Sequence, residues 1–239
     1  MALILTPALL QIAVLTSADN RSVYDADAPQ WLRAVGKLQV PGSKLVAGHR
    51  KHHREDCSAT LVASPNAQQA DTIVTAWHCL EFYNDLSRPI TFTLLPGTPG
   101  SIETEVRRLA DGGGMYADWA LLRLQTPVAR DTVVALSIDP HRANPARPIT
   151  LAGYSRDPGL GNNGSALTYD ASCQITRQER GSSNTDCTAY KGASGGAIVQ
   201  LGSDGQAWLS GVVSRGNSSD VSIYVPVEGF RSAILRYLN

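Results

Sequence analysis

Short apolar runs of strand length, each closed by Gly, Pro, Asn or Asp, fill this chain from Val35 onward and constrain its fold more than any other feature. Leu61-Val62, Thr72 to Ala76, Ile90 to Leu95, Trp119 to Leu124, Ile149 to Tyr154, Gly196 to Val199 and Val212-Val213 are such runs. Runs of this length with turn residues between them are the pattern of β-strands. No helical period appears until the end, where Phe230, Ile234 and Leu238 recur every four residues beside Leu235. That spacing predicts a short amphipathic C-terminal helix. The chain therefore reads as all-β with one terminal helix, in a barrel or sandwich architecture. Its 239 residues are enough for a sizeable core in one or two domains.

Twenty-one Lys and Arg balance twenty-one Asp and Glu. A net charge of zero argues against nucleic acid or an anionic membrane as main partner, since both are bound through a large positive field. No apolar run reaches the roughly 18 residues that a membrane span needs. Cys57, Cys79, Cys173 and Cys187 are even in number and lack zinc spacing. They read as two disulfides of an exported protein, with three pairings open. Residues 1–15 are mostly apolar and Thr16, Ser17 and Ala18 are small, so residues 1–18 read as a signal peptide cleaved after Ala18. The alternative is a buried N-terminal strand or helix. Residues 19–34 are polar and mixed, and read as a pro-segment or a lead-in to the domain at 35–239.

Ser194 lies in Gly192-Ala193-Ser194-Gly195-Gly196. A serine between glycines can present its hydroxyl on a tight turn, with backbone N–H groups free to face a substrate oxygen. The segment also fits G-x-S-x-G, the nucleophile elbow of α/β-hydrolases, but that fold needs its histidine after the serine. All five histidines (His49, His52, His53, His78 and His141) precede Ser194. The order His, Asp, Ser remains open. His78 follows an apolar strand in Thr75-Ala76-Trp77-His78-Cys79, and Asp118 heads one in Ala117-Asp118-Trp119-Ala120-Leu121-Leu122.

With these residues in place the chain resembles the chymotrypsin/trypsin-like serine proteases over residues 33 to 239. TAWHC stands for that family's TAAHC box, ADWALLRL for D-I-A-L-L, and GASGG for G-D-S-G-G. Cys57 to Val62 resembles the strand whose cysteine pairs with the one after the catalytic histidine. Val213-Ser214-Arg215-Gly216 resembles the V-S-W-G segment of the substrate cleft, and Ile223 to Val227 before the helix also fits. Several boxes in order are a far stronger signal than one. The resemblance implies two six-stranded antiparallel β-barrels joined near residues 130–147, with the site between them. It implies a secreted or periplasmic serine endopeptidase that is a monomer, acts on polypeptides, and needs no cofactor or metal. His78 would be the general base, Asp118 its orienting partner and Ser194 the nucleophile. The N–H groups of Gly192 and Ser194 would form the oxyanion hole, and Ser214 would sit near Asp118 and help bind the substrate backbone. Cys57 would pair with Cys79, leaving Cys173 with Cys187.

Departures from the family pattern carry information too. Ala193 replaces the aspartate that pairs with a freshly cut N-terminus in the animal enzymes, and the I-V-G-G start is absent. The resemblance then implies activation without that ion pair, as in many bacterial members. Trp77 replaces a small residue. Thr188 takes the position at the base of the primary pocket, Ser222 a pocket wall, and Arg215 the place of the usual tryptophan beside Gly216. Without an aspartate at Thr188 the expected preference is for small or medium uncharged side chains. The basic cluster His49 to Arg54 reads as a solvated surface loop, and Gly112-Gly113-Gly114 as a turn. Two other activities fit the same residues: an esterase on the same triad, and a binding module that keeps the fold without turnover.

Overall fold

Alternating side chains decide how the first half closes. In β5 (Ile90–Leu94) Ile90, Phe92 and Leu94 are fully buried, with threonines between them, so one face of the strand is committed to a core. The computed structural model describes residues 19–84, 87–218 and 221–238; the proposed signal peptide at 1–18 lies outside them. The lead-in begins with β1 (Ser22–Val23). β5 then joins β2 (Val35–Val46), β3 (His49–Val62), β4 (Gln69–Thr75), β6 (Ile102–Asp111) and β7 (Ala120–Ala129). These six form a closed barrel in the order β2-β3-β4-β7-β6-β5.

The second half holds β8 (Ser137–Ile138), β9 (Ile149–Gly153), β10 (Thr168–Cys173), β11 (Ile175–Gln178), β12 (Ser183–Thr185), β13 (Ala197–Leu201), β14 (Ala207–Gly216) and β15 (Ser222–Pro226). Its hydrogen-bonded path runs β1-β10-β9-β13-β14-β15-β12-β11, with β8 attached to β14. This sheet curls as a half-barrel. β10 and β11 follow one another in the chain with only Gln174 between them. The architecture is the chymotrypsin-like fold that the sequence led us to expect, a closed first barrel followed by a curled half-barrel.

The lead-in is part of this body. β1 pairs with β10, and the 3-10 turn Gln30–Ala34 buries Leu32 and Ala34 completely. At the other end α1 (Arg231–Leu235) is only five residues long. It follows Phe230, whose ring stacks on Trp119 at 5.0 Å and so braces the chain next to Asp118.

The basic cluster corrects one expectation. His49 to Arg54 belongs to strand β3 and not to a loop. β2 and β3 pair in register from Val35↔Thr60 out to Val46↔His49. A two-residue turn at Ala47 and Gly48, both at positive φ, closes the hairpin, the conformation that matches the twist of paired strands. β5 pairs with β2 only over Gly36 to Gln39, and β4 with β3 only over Thr60 to Val62. The outer part is thus a two-stranded ribbon. Most of its side chains face solvent, so the apolar alternation that marks a strand is missing from its sequence.

Candidate active site

β4 delivers the histidine. The strand ends at Thr75, and a 3-10 turn over Trp77–Leu80 begins at once, carrying His78. Cys79 is bonded to Cys57 on β3, which pins this turn to the barrel wall. Closing a loop of this size stabilises by roughly 3 kcal/mol in the chain-entropy model. Replacing both Cys57 and Cys79 by serine is therefore expected to lower unfolding stability by about that amount, measured by denaturant titration. A change under a third of it would mean that packing alone holds the turn.

The glycine turn between β6 and β7 positions the carboxylate. Gly112 N–H bonds Trp119 O at 3.0 Å and Gly113 N–H bonds Asp111 Oδ1 at 2.8 Å. Asp118 emerges fully buried at the head of β7. Its Oδ1 accepts the His78 backbone N–H at 2.9 Å, and its Oδ2 lies 2.9 Å from His78 Nδ1. Ser214 Oγ also donates to Oδ2. Ser214 sits where the β14–β15 register shifts between Val213 and Arg215, a bulge that re-aims its side chain. Burial pushes the Asp118 carboxyl pKa up, but the hydrogen bond and charge of His78 and the Ser214 hydroxyl outweigh it. The net pKa lies below the ordinary carboxylate value. An ionised Asp118 in turn places the imidazole proton on Nδ1 and leaves Nε2 facing outward as an acceptor.

Ser194 comes from the turn between β12 and β13. Its hydroxyl donates to Ser214 O at 3.4 Å, and among the described residues it makes no hydrogen bond to His78. Such contacts are often loose before substrate closes on them. The turn itself is over-determined. Ser58 N–H holds Ser194 O at 2.8 Å, and Gly195 N–H holds Val213 O at 2.7 Å. Gly195 has φ +82°, and a Cβ there would lie 2.1 Å from Ser58 O, so only glycine fits.

Gly192 is equally constrained. Its φ is +102° and a Cβ would lie 2.5 Å from Tyr154 O. Arg156 N–H bonds Lys191 O at 2.6 Å. In a trans peptide the next N–H points the opposite way, so the Gly192 N–H is turned away from the 154–157 loop. Gly192 O is held by Ser58 Oγ at 2.9 Å, while Ser58 Oγ accepts Tyr154 N–H at 2.8 Å. Neither the Gly192 nor the Ser194 N–H has an acceptor among the described residues.

A cleft of about 390 Å³ opens beside these groups, lined by His78, Ser194, Ser214, Arg215, Gly216 and Ser222 among others. Ser222 Oγ is tied back to Cys187 O at 2.8 Å. The second disulfide, Cys173–Cys187, fastens the segment that leads to this wall. Thr188 is buried, its N–H bonds Asp170 Oδ2 at 3.0 Å, and Ala189 and Tyr190 line the cleft. Sequence reasoning passed over Ser58, Tyr190 and Arg156. Their roles run through backbone groups and ring faces, which leave no motif; Ser58 stood inside a recognised strand but carried no sign of its bonds.

A family model described as trypsin-like peptidase domain matches residues 57–207, a span that includes His78, Asp118 and Ser194. Among solved structures, the crystal structure of a thermostable serine protease AL20 from an extremophilic microorganism superposes with a TM-score of 0.62 at 21% identity. That match covers 85% of this chain and 96% of the other, and at this identity it speaks for the fold. No curated protein matches the sequence.

Proposed function

This chain belongs to the trypsin-like peptidase family, and we propose that it is an exported serine endopeptidase with Ser194 as nucleophile, His78 as general base and Asp118 as the group that orients it. The observation that carries the reading is the meeting of a buried, ionised Asp118, a histidine held by it at two points, and Ser194 at one cleft. Beside it stand two backbone N–H groups without acceptors.

The chemistry follows from those positions. Ser194 Oγ attacks the scissile carbonyl carbon while its proton passes to His78 Nε2. The carbonyl oxygen becomes an oxyanion, and the N–H groups of Gly192 and Ser194 donate to it. As the C–N bond breaks, His78 returns the proton to the leaving amine. Water then repeats the sequence on the acyl-enzyme, with His78 taking its proton, and releases the acid. Asp118 stays ionised and stabilises the imidazolium. Ser214, Arg215 and Gly216 line the side of the cleft that receives the substrate chain, and Ser222 narrows it. With threonine and no carboxylate at position 188, small or medium uncharged side chains fit this slot best. Two disulfides suit an oxidising compartment outside the cytoplasm, and residues 1–18, mostly apolar up to residue 15 with small residues after it, fit an export signal. Among the described residues no helix is long and apolar enough to cross a membrane.

One observation favours a second reading, a resting or non-catalytic protein: the Ser194 hydroxyl faces Ser214 O and not the imidazole. Fluorophosphonate labelling decides between the two. Endopeptidase chemistry predicts an adduct on Ser194, mapped by mass spectrometry and absent in Ser194→Ala and His78→Ala. Folded protein that stays unlabelled rejects the nucleophile assignment. Comparing matched peptide and ester substrates then separates a peptidase from an esterase.

A further inference from the structure

Arg21 is the most enclosed cation among the described residues. Its side chain is 1% exposed although it belongs to the polar lead-in. A buried guanidinium is costly unless its donors are satisfied and its charge is matched. Here both conditions are met. Nε donates to Asp19 Oδ1 at 2.9 Å and Nη2 to Asp19 Oδ2 at 2.6 Å. On its other edge, Nη1 and Nη2 donate to the two oxygens of Asp157 at 2.8 and 3.0 Å. The guanidinium also lies over the Tyr190 ring, 4.3 Å from its centroid, a favourable cation–π position. This planar fork-and-stack arrangement is one that lysine cannot reproduce.

Both partners lead to the same place. Asp157 is the neighbour of Arg156, whose N–H holds Lys191 O at 2.6 Å and thereby turns the Gly192 N–H away from its loop. Asp157 further anchors that loop by accepting Gly161 N–H at 3.2 Å. Tyr190 precedes Lys191 and lines the cleft, and its own N–H reaches Ser155 Oγ at 3.4 Å. Arg21 therefore grips the two segments, 154–157 and 190–192, whose mutual bond orients the Gly192 peptide. Ala193, next to the nucleophile, is buried and apolar and offers no charge with which to do this.

We propose that Arg21 is a positioning residue for the oxyanion site: through Asp157 and Tyr190 it holds the 154–157 loop against Lys191 and so fixes the direction of the Gly192 N–H. The lead-in is then part of the working enzyme, with its Asp19–Arg21 corner acting on a peptide more than 160 residues away in sequence. The inference rests on the endopeptidase reading above. It differs from a general bracing role because an oxyanion donor acts in the transition state, so its misplacement falls on kcat more than on KM.

The test compares Arg21→Met and Arg21→Lys with Leu32→Ala in the full chain, at a temperature well below every unfolding midpoint. Leu32 is fully buried in the same lead-in but belongs to the hydrophobic core. Arg21→Met is expected to lower kcat and the rate of Ser194 phosphonylation by about 100-fold, the penalty for misplacing catalytic groups by an ångström. KM should move by less than about threefold, since uniform binding is left in place. Arg21→Lys should fall between, keeping the charge but losing the fork. Leu32→Ala should lose thermal stability yet keep kcat within about twofold, because its cavity lies away from the cleft. Should Arg21→Met not fold, Asp157→Asn carries the same test with an expected loss of roughly 10-fold. Wild-type rates in these Arg21 or Asp157 variants, or an equal kcat loss in Leu32→Ala, overturn the proposal alone. A wild-type protein that does not react with fluorophosphonate overturns the endopeptidase reading and this proposal with it.

Discussion

Ser194→Ala is expected to lower kcat on a peptide substrate by about 10⁶-fold while leaving the fold intact. The side chain contributes one long hydrogen bond, to Ser214 O at 3.4 Å, so its removal costs the native state little. The bonds that shape the turn are to its backbone: Ser58 N–H to Ser194 O, and Gly195 N–H to Val213 O. These survive the substitution. What disappears, on the endopeptidase proposal, is the atom that bonds to the substrate carbon, and water cannot take its place at a comparable rate. Some acceleration should remain from the oxyanion donors and substrate positioning. His78→Ala should be nearly as severe, and the double substitution no worse than either alone, since the two residues act as a unit. The check is kcat on protein purified free of host peptidases, alongside the unfolding midpoint. Retention of more than a few per cent of turnover would assign the chemistry to another nucleophile.

Asp118→Asn is expected to reduce kcat by about 10⁴-fold near neutral pH, a size taken from the chymotrypsin-like enzymes themselves. The reason is visible in the hydrogen bonding. Three donors converge on this carboxylate: the His78 backbone N–H, His78 Nδ1–H and the Ser214 hydroxyl. An amide offers one acceptor oxygen and brings two donor hydrogens. It forces the imidazole into the other tautomer, with the proton on Nε2, where Ser194 needs an acceptor. A stability signature accompanies it. The Asp118 pKa is lowered in the folded protein, so its ionised form stabilises the native state above the ordinary carboxylate value of about 3.9. That contribution fades as pH falls through the lowered folded value. Unfolding midpoints of wild type and Asp118→Asn should therefore converge below about pH 4 relative to their gap at pH 7. Parallel curves across that window would mean that Asp118 is not the ionised partner of His78.

How far these features are legible in the chain itself depends on their range. The all-β class and the short terminal helix are written in local patterns; that the first six strands close into a barrel came through the resemblance. The period-2 burial of Ile90, Phe92 and Leu94, and the turn residues between strands, act over a few positions and need no distant partner to be read. Gly192 and Gly195 belong to the same category. Their positive φ values favour glycine whatever surrounds them, so the turn announces itself in the composition around Ser194. The meeting of His78, Asp118 and Ser194 at one cleft was legible only through resemblance, because each residue alone is an ordinary strand-end or turn residue.

Other features escaped because their determinants are spread through space. His49 to Arg54 reads as a loop in one dimension; it becomes a strand by pairing with Pro41 to Val46, which bury little and so leave no pattern. Thr188 is held through its backbone N–H by Asp170, a partner 18 positions away that nothing in its sequence neighbourhood announces. Ser58 joins Tyr154, Gly192 and Ser194 through its hydroxyl and backbone, and Arg21 reaches Asp157 across 136 positions. Backbone carbonyls and amides are present at every residue, so a bond to one of them leaves no trace in residue identity. Sequence alone determined the apolar strands, the turns between them and the chemistry-bearing side chains, through sterics and burial that operate locally. Only the tertiary structure decided which backbone groups those side chains would hold, since that choice depends on where the barrel and the half-barrel bring distant segments together.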